Sequence, residues 1–254
     1  MLNMEIRTYR FGPVVFAFKT KIPICVIDKY EEFRSDNSIE PDFTVEIIPL
    51  SEDSPCGIKE PIQTEIFGNR ITAAMNQSVI PYVTVGRLMY LIGAAHLFLQ
   101  KDAFVLHASY IVRAGKALLF SAPSGTGKST QADLWHNCRG CEIINGDRVI
   151  VSRENGQFYA SGAYVAGSSG IYRNVTAPLG HIILIEQAKS CVVKNIPAVK
   201  KLQRLLCECS FDQHDLSQYN IMMELVSDLI TKVPVFGYGC TKDPEAVEVL
   251  EKYL

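Results

Sequence analysis

The chain has almost no excess of either charge: 25 Lys and Arg against 27 Asp and Glu leave a formal charge of -2 over 254 residues. Without a basic surplus it lacks the electrostatic footprint of a phosphate-backbone binder, and nucleic acid is not expected as a partner. Long apolar runs are missing as well. The longest, residues 88–99, contains His96 and falls short of the ~20 residues a membrane helix needs, so no membrane span is expected. The opening residues carry Glu5, Arg7 and Arg10 where a secretion signal needs an unbroken apolar stretch, which makes a cytoplasmic location the expectation. Eight cysteines are present, but not the paired CxxC knuckles of a zinc site. Cys138-Arg-Gly-Cys141, with His136 nearby, and Cys207-Glu-Cys209 stand alone, and ordinary reduced thiols are the reading.

The remaining composition, 48% hydrophobic and 20% charged, belongs to an ordinary globular protein large enough for two lobes. Residues 1–83 form the first. Val14-Val-Phe-Ala-Phe18, Ile22-Pro-Ile-Cys-Val-Ile27 and Phe43-Thr-Val-Glu-Ile-Ile48 read as short strands, so this lobe is a small sheet. Over residues 84–103, Val85, Leu88, Met89, Leu91, Ile92, Ala95 and Leu99 recur at spacings of three and four, the period of a connecting helix with one buried face. Residues 104–254 form the second lobe. It opens with two strand-like runs around Ala114-Gly115, and a strand fed by a hairpin has an antiparallel neighbour, so an α/β fold with a mixed sheet follows. Asn155-Gly156 marks a second hairpin, residues 162–178 read as a functional loop, and Asp243-Pro244 reads as the cap of a last helix.

Chemistry concentrates in Ala122-Pro-Ser-Gly-Thr-Gly-Lys-Ser129, which fits G-x-x-x-x-G-K-[ST] except that Ala122 replaces the first glycine. Gly125 and Gly127 let the backbone curl so that the N–H groups from Ser124 to Thr130 face a phosphate, and the following helix adds its positive end. Lys128 then neutralises phosphate oxygens, and Ser129 offers a hydroxyl to Mg²⁺. ATP or a close relative is the expected nucleotide. Asp147, 19 residues beyond Lys128 and just past a hydrophobic strand, can reach Mg²⁺ or an acceptor hydroxyl, or can simply serve a Gly-Asp turn. His107 precedes the loop by a hairpin; from spacing alone a satisfied core histidine is the simpler reading.

Taken together, His107-Ala-Ser, Gly115-Lys-Ala-Leu-Leu-Phe-Ser, Pro123-Ser-Gly-Thr-Gly-Lys-Ser-Thr130 and Asn145-Gly-Asp147-Arg-Val149 resemble the C-terminal catalytic domain of the HPr serine kinase/phosphorylase family, and more closely its HPr-kinase-related members. The resemblance implies a fold similar to phosphoenolpyruvate carboxykinase, ATP with Mg²⁺, and phosphate transfer to a serine-type hydroxyl. By position, Asp147 matches the general base and His107 its supporting histidine, with Ser129 and Asp147 as metal ligands. Gly146 and Thr130 depart from the family's pattern, which has Asp and Glu there, and its Glu-Ile-Arg-Gly signature is absent. Arg173, in roughly that region, is a candidate cation for the transferred phosphoryl group or a solvated surface arginine. The resemblance leaves room for a homo-oligomer, as true HPr kinases form.

Three functions stay open. One is a kinase acting on a hydroxyl of a protein, peptide or small molecule. Another is a catalytically silent nucleotide-binding module that acts through a partner, a reading favoured by the missing carboxylate at 146. The third, a carboxykinase-like lyase, lacks a convincing set of His, Lys and Asp metal ligands beyond the loop.

Overall fold

The computed structural model describes residues 4–24, 28–50 and 62–254, and the chain divides into two compact units after Ala94. That division falls inside the segment expected to be one connecting helix. The first unit contains β1 (Glu5–Phe11), β2 (Val14–Thr20), a 3-10 turn (Asp28–Phe33), β3 (Phe43–Pro49), β4 (Ile62–Phe67) and β5 (Arg70–Met75). These strands form one mixed sheet in the order β1-β2-β3-β5-β4, with antiparallel hairpins at both edges and parallel pairing in the middle. Strand alternation sends Tyr9, Phe16 and Phe43 to one face, where Phe16 and Phe43 stack at 5.5 Å between ring centroids.

Ile22-Pro23-Ile24 belongs to no strand, contrary to expectation, and Cys25, Val26 and Ile27 lie outside the described residues. The Thr20 hydroxyl accepts from Ile22 N at 3.0 Å and donates to Ile22 O at 2.6 Å, turning the chain where Pro23 has no N–H to continue a ladder. The expected connecting helix is likewise two short ones, α1 (Val85–Leu91) and α2 (Ala94–Leu99). Thr84 caps the first through Arg87 N, and Gly93, at a φ of 63°, interrupts the helical backbone between them.

The second unit runs β6 (Ala103–Arg113), β7 (Lys116–Ser121), α3 (Lys128–Arg139), β8 (Glu142–Asn145), β9 (Arg148–Glu154), β10 (Gln157–Gly162), β11 (Thr176–Gln187), β12 (Val192–Lys194), α4 (Ala198–Glu208), β13 (Cys209–Ser210), α5 (Leu216–Lys232), β14 (Val235–Cys240) and α6 (Glu245–Glu251). The sheet is mixed, as the opening hairpin requires. β7, β11 and β14 are parallel, and β12, β6, β9 and β10 pair antiparallel around them. The first three residues of β11 also pair with β10, which joins β9, β6, β7, β11 and β10 into a closed circuit of strands.

Period-two alternation divides β6 between two cores. Leu106, Ala108 and Tyr110 pack with Leu225 and Leu229 of α5, and Ile111 packs with Phe120 and Trp135 on the side of α3 and α6. A strand covered on both faces reads as a continuous apolar run, and the polar interruptions His107 and Ser109 therefore carry information.

Gly140 ends α3 at a φ of 65°, and Ala114-Gly115 and Asn155-Gly156 both have positive φ, the backbone that joins twisted antiparallel strands through two-residue turns. Asp243 does not cap α6 with its side chain: Pro244 holds the N-cap position, and the Asp243 carbonyl accepts from Ala246 N. Among the described residues no helix is long and apolar enough to cross a membrane.

Gly156 has a φ of 76°, and an added Cβ there meets only the Lys232 ammonium at 3.8 Å. Gly156→Ala therefore strains backbone alone and is expected to cost about 1–2 kcal/mol in urea unfolding, with an unchanged m-value.

Candidate functional site

The site forms where β6 exchanges neighbours on both edges. One edge pairs with β7 from Ala108 onward and with β13 at Val105 and Leu106; the other pairs with β8 from Tyr110 onward and with β9 up to His107. His107 stands at the changeover. Cys209 pairs with Leu106, so the antiparallel register carries Glu208, one residue earlier, to His107, and its Oε2 lies 2.8 Å from Nδ1. On the other edge Arg148 pairs with His107, while Asp147 Oδ1 lies 3.4 Å from Nε2. The imidazole thus stands between two carboxylates, hydrogen-bonded to Glu208 and in contact with Asp147.

The His107 ring holds the Asp147 carboxyl below the ordinary carboxylate value, with Arg148 and Lys128 adding to the effect and burial opposing it. Arg148 Nε lies 3.5 Å from Asp147 Oδ2.

The glycine loop joins β7 to α3. Gly125 and Gly127 have φ of 79° and 113°, and an added Cβ at either would meet nothing within 4 Å. Glycine is needed there for backbone curvature, not for space. Ser124 and Gly125 are exposed, Thr126 and Gly127 half-buried, and Lys128 is buried at 6% exposure. Its ammonium folds back over the loop to Ala122 O at 2.9 Å and Pro123 O at 3.3 Å. Burial pushes the Lys128 ammonium below its ordinary lysine value, against the attraction of Glu208 and Asp147. From the end of β11, the Gln187 amide donates to Gly125 O and Thr126 O at 3.3 and 3.4 Å.

Ser129 follows Lys128 in the first turn of α3 with Thr130 beside it, and its hydroxyl donates to Gly146 O at 3.3 Å. Ser109 donates to the same carbonyl at 2.9 Å, so β6, α3 and the turn bearing Asp147 converge on one oxygen. Ser129 and Asp147 offer hard oxygen donors of the kind Mg²⁺ takes, while among the described residues no three His, Cys, Asp or Glu side chains gather to hold a metal by themselves.

Asn145, fully buried, fixes the turn. Its Oδ1 accepts from Asp147 N and Arg148 N at 2.9 and 3.1 Å, and its Nδ2 donates to Ala163 O and Val165 O at 3.2 and 2.9 Å. Two donors on one side and two acceptors on the other settle the amide's orientation. The loop so anchored packs against Asp147. A Cβ on Gly167 would lie 2.9 Å from the Asp147 side chain, and a Cβ on Gly146 would lie 2.3 Å from Ser169 Oγ. The place a side chain at 146 would take is filled by Ser169, which is held by its own bond to Ala166 O.

His107, Lys128, Ser129 and Asp147 are therefore brought together, and Arg173 is not. Its guanidinium pairs with Glu142 at 2.9 Å, at the opposite end of β8 from the Asp147 turn, and Arg148 is the cation beside Asp147 instead. The sequence reading also missed Glu208, Gln187 and the structural role of Asn145. Of these only Asn145 left a signal, as a polar residue ending an apolar strand. Cys138, Cys141, Cys191, Cys207, Cys209 and Cys240 are free thiols, Cys25 and Cys56 lie outside the described residues, and His136 is engaged by Cys141 O at 2.9 Å.

Asn145→Ala removes four hydrogen bonds at once and is expected to cost at least ~2 kcal/mol in chemical unfolding. His107→Ala removes the largest cause of the Asp147 shift, so a carbon-13 carboxyl titration should show that pKa rising toward 3.8. Since the carboxyl is depressed, the stability it contributes is present above 3.8 and is lost as pH falls through the lowered value; at neutral pH the variant lacks the His107 share of this increment.

No protein-family profile and no curated protein sequence matches the chain. Among solved structures it is similar to the Hpr(Ser) kinase/phosphatase from Coxiella burnetii, at 15% sequence identity and a TM-score of 0.35, over 59% of this chain and 94% of that one.

Proposed function

We propose that the chain binds ATP with Mg²⁺ at the loop from Ala122 to Ser129 and transfers the γ-phosphate to a hydroxyl acceptor. The observation that carries this reading is the placement of the Asp147 carboxylate, 3.4 Å from His107 and within the electrostatic reach of Lys128 on the glycine loop. Phosphoryl transfer asks a protein chiefly for positioning and charge stabilisation, and these groups supply both.

Lys128 leaves its loop carbonyls to neutralise phosphate oxygens, and the N–H groups from Ser124 to Thr130 hold them. The Ser129 hydroxyl and Asp147 would hold the cation, which supplies further neutralisation when bound. Asp147 accepts the proton of the acceptor hydroxyl as the new oxygen–phosphorus bond forms and the bond to the bridging oxygen breaks, releasing ADP. His107 orients that carboxylate, and Glu208 orients His107.

A second reading, a nucleotide-binding module without transfer, draws support from Ser169, which occupies the space a carboxylate at position 146 would need. The two readings separate by phosphorus-31 NMR with ATP, Mg²⁺ and a hydroxyl acceptor. In the kinase reading Asp147→Asn keeps nucleotide affinity within a few-fold and loses the phosphoester signal by 100-fold or more, in keeping with the ~10²–10⁴-fold worth of a general base. ATP binding with no phosphoester from the wild-type chain selects the module. Lys128→Ala should weaken nucleotide binding at least ~10-fold under either reading, measured by calorimetry.

A further inference from the structure

Beside the His107–Glu208 contact lies a cavity of about 250 Å³, bordered by Ala122 and Pro123 at the start of the glycine loop and by Gln203, Arg204 and Glu208 of α4. One wall is thus the carboxylate that grips His107, whose other nitrogen faces Asp147. Arg204 lies one turn earlier on the same helix face, since residues four apart stand one above the other. Its Nη2 donates to Ile185 O at 3.0 Å, which anchors the guanidinium, yet it makes no ion pair among the described residues. A half-buried arginine held by one backbone bond keeps most of its five donors for something else, and a planar carboxylate or a phosphate matches its fork. Arg204 also borders a second cavity of about 410 Å³ with Glu186, Lys194 and Lys200, where Lys194 is paired with Glu186 and Arg204 acts on the same carboxylate, so the cations outnumber the single acid. The approach along α4 is therefore cationic.

We propose that the 250 Å³ cavity is an acceptor subsite for a small hydroxylated anion, whose carboxylate or phosphate sits on Arg204 while its hydroxyl is directed toward the His107–Asp147 pair. This inference rests on the phosphotransfer reading and names its substrate class. Size supports it. The volume corresponds to about eight water molecules at ~30 Å³ each, below the ~300–1,000 Å³ of pockets for drug-sized ligands. The rise along α4 from Arg204 to Glu208 is ~6 Å, roughly the span between the anionic group and the far hydroxyl of a three-carbon compound. Charge supports it too, because an anion on Arg204 adds a direct partner to a half-buried guanidinium that is held by one backbone bond and acts on Glu186 only at a distance.

The test uses D-glycerate, glycerol 3-phosphate and glycerol, which share a hydroxylated three-carbon scaffold and differ in the anionic group. Each is titrated calorimetrically into the full chain in the presence of Mg²⁺ and a non-hydrolysable ATP analogue. At least one of the two anions should bind ten-fold or more tightly than glycerol, and the tighter of them identifies carboxylate or phosphate as the group recognised. Arg204→Met should reduce anion affinity to that of glycerol with nucleotide affinity unchanged, and Arg204→Lys, which keeps the charge and loses the fork, should fall between. Equal binding of glycerol and both anions, anion affinity unchanged in Arg204→Met and Arg204→Lys, or no binding of any probe to a chain that binds the nucleotide overturns the subsite. Failure of the nucleotide analogue itself to bind overturns the phosphotransfer reading, and the subsite with it.

Discussion

Everything at the candidate site depends on how hydrogen bonds are shared along β6. The strand is eleven residues long and none of its neighbours spans it, so each edge carries two partners in succession. Where partners change, backbone ladders end and side chains from four elements meet. His107 occupies that gap, with the glycine loop leaving the end of β7, Asp147 entering β9 and Glu208 ending α4. A uniform sheet would bury this ground under continuous pairing. The two-residue strand β13 looks trivial as secondary structure, yet its register sets which carboxylate His107 meets.

Electrostatics and backbone bonding act at different depths here. Deep in the turn the contacts are neutral: the Asn145 amide and the Ser109 and Ser129 hydroxyls satisfy backbone groups and fix where Asp147 stands. Above them ionisable groups stand in a row, Glu208 beside His107, His107 beside Asp147 and Asp147 beside Arg148. A rigid neutral base lets the charged groups keep their spacing without long side chains having to be ordered one by one. Lys128 is the exception, because its present partners are two carbonyls of its own loop and it can exchange them for a more strongly charged acceptor.

The parts of this arrangement legible in the sequence are those written locally. The glycine loop, the hairpin turns at Ala114-Gly115 and Asn155-Gly156, and α3 with its stop at Gly140 follow from turn chemistry and helix capping within a few residues. His107 and Asp147 could be singled out through a resemblance, but their contact is made by strand pairing between residues far apart in the chain. Glu208 is 101 residues from His107, and no periodicity announces that a helix ends opposite it. Arg173 shows the converse failure: its neighbourhood in sequence pointed toward the site, while the strand β8 carries its partner Glu142 to the far end. Gly93 did carry a legible warning, since an isolated glycine within a helical pattern often marks a break, and the apolar period on both sides hid it.

The filled space beside Gly146 also bears on how such a protein can change over generations. A carboxylate at 146 would collide with the Ser169 side chain, and trimming Ser169 first would remove the bond that holds it to Ala166 without any immediate gain. The two positions are therefore coupled: what residue 146 can be depends on where the side chain at 169 stands.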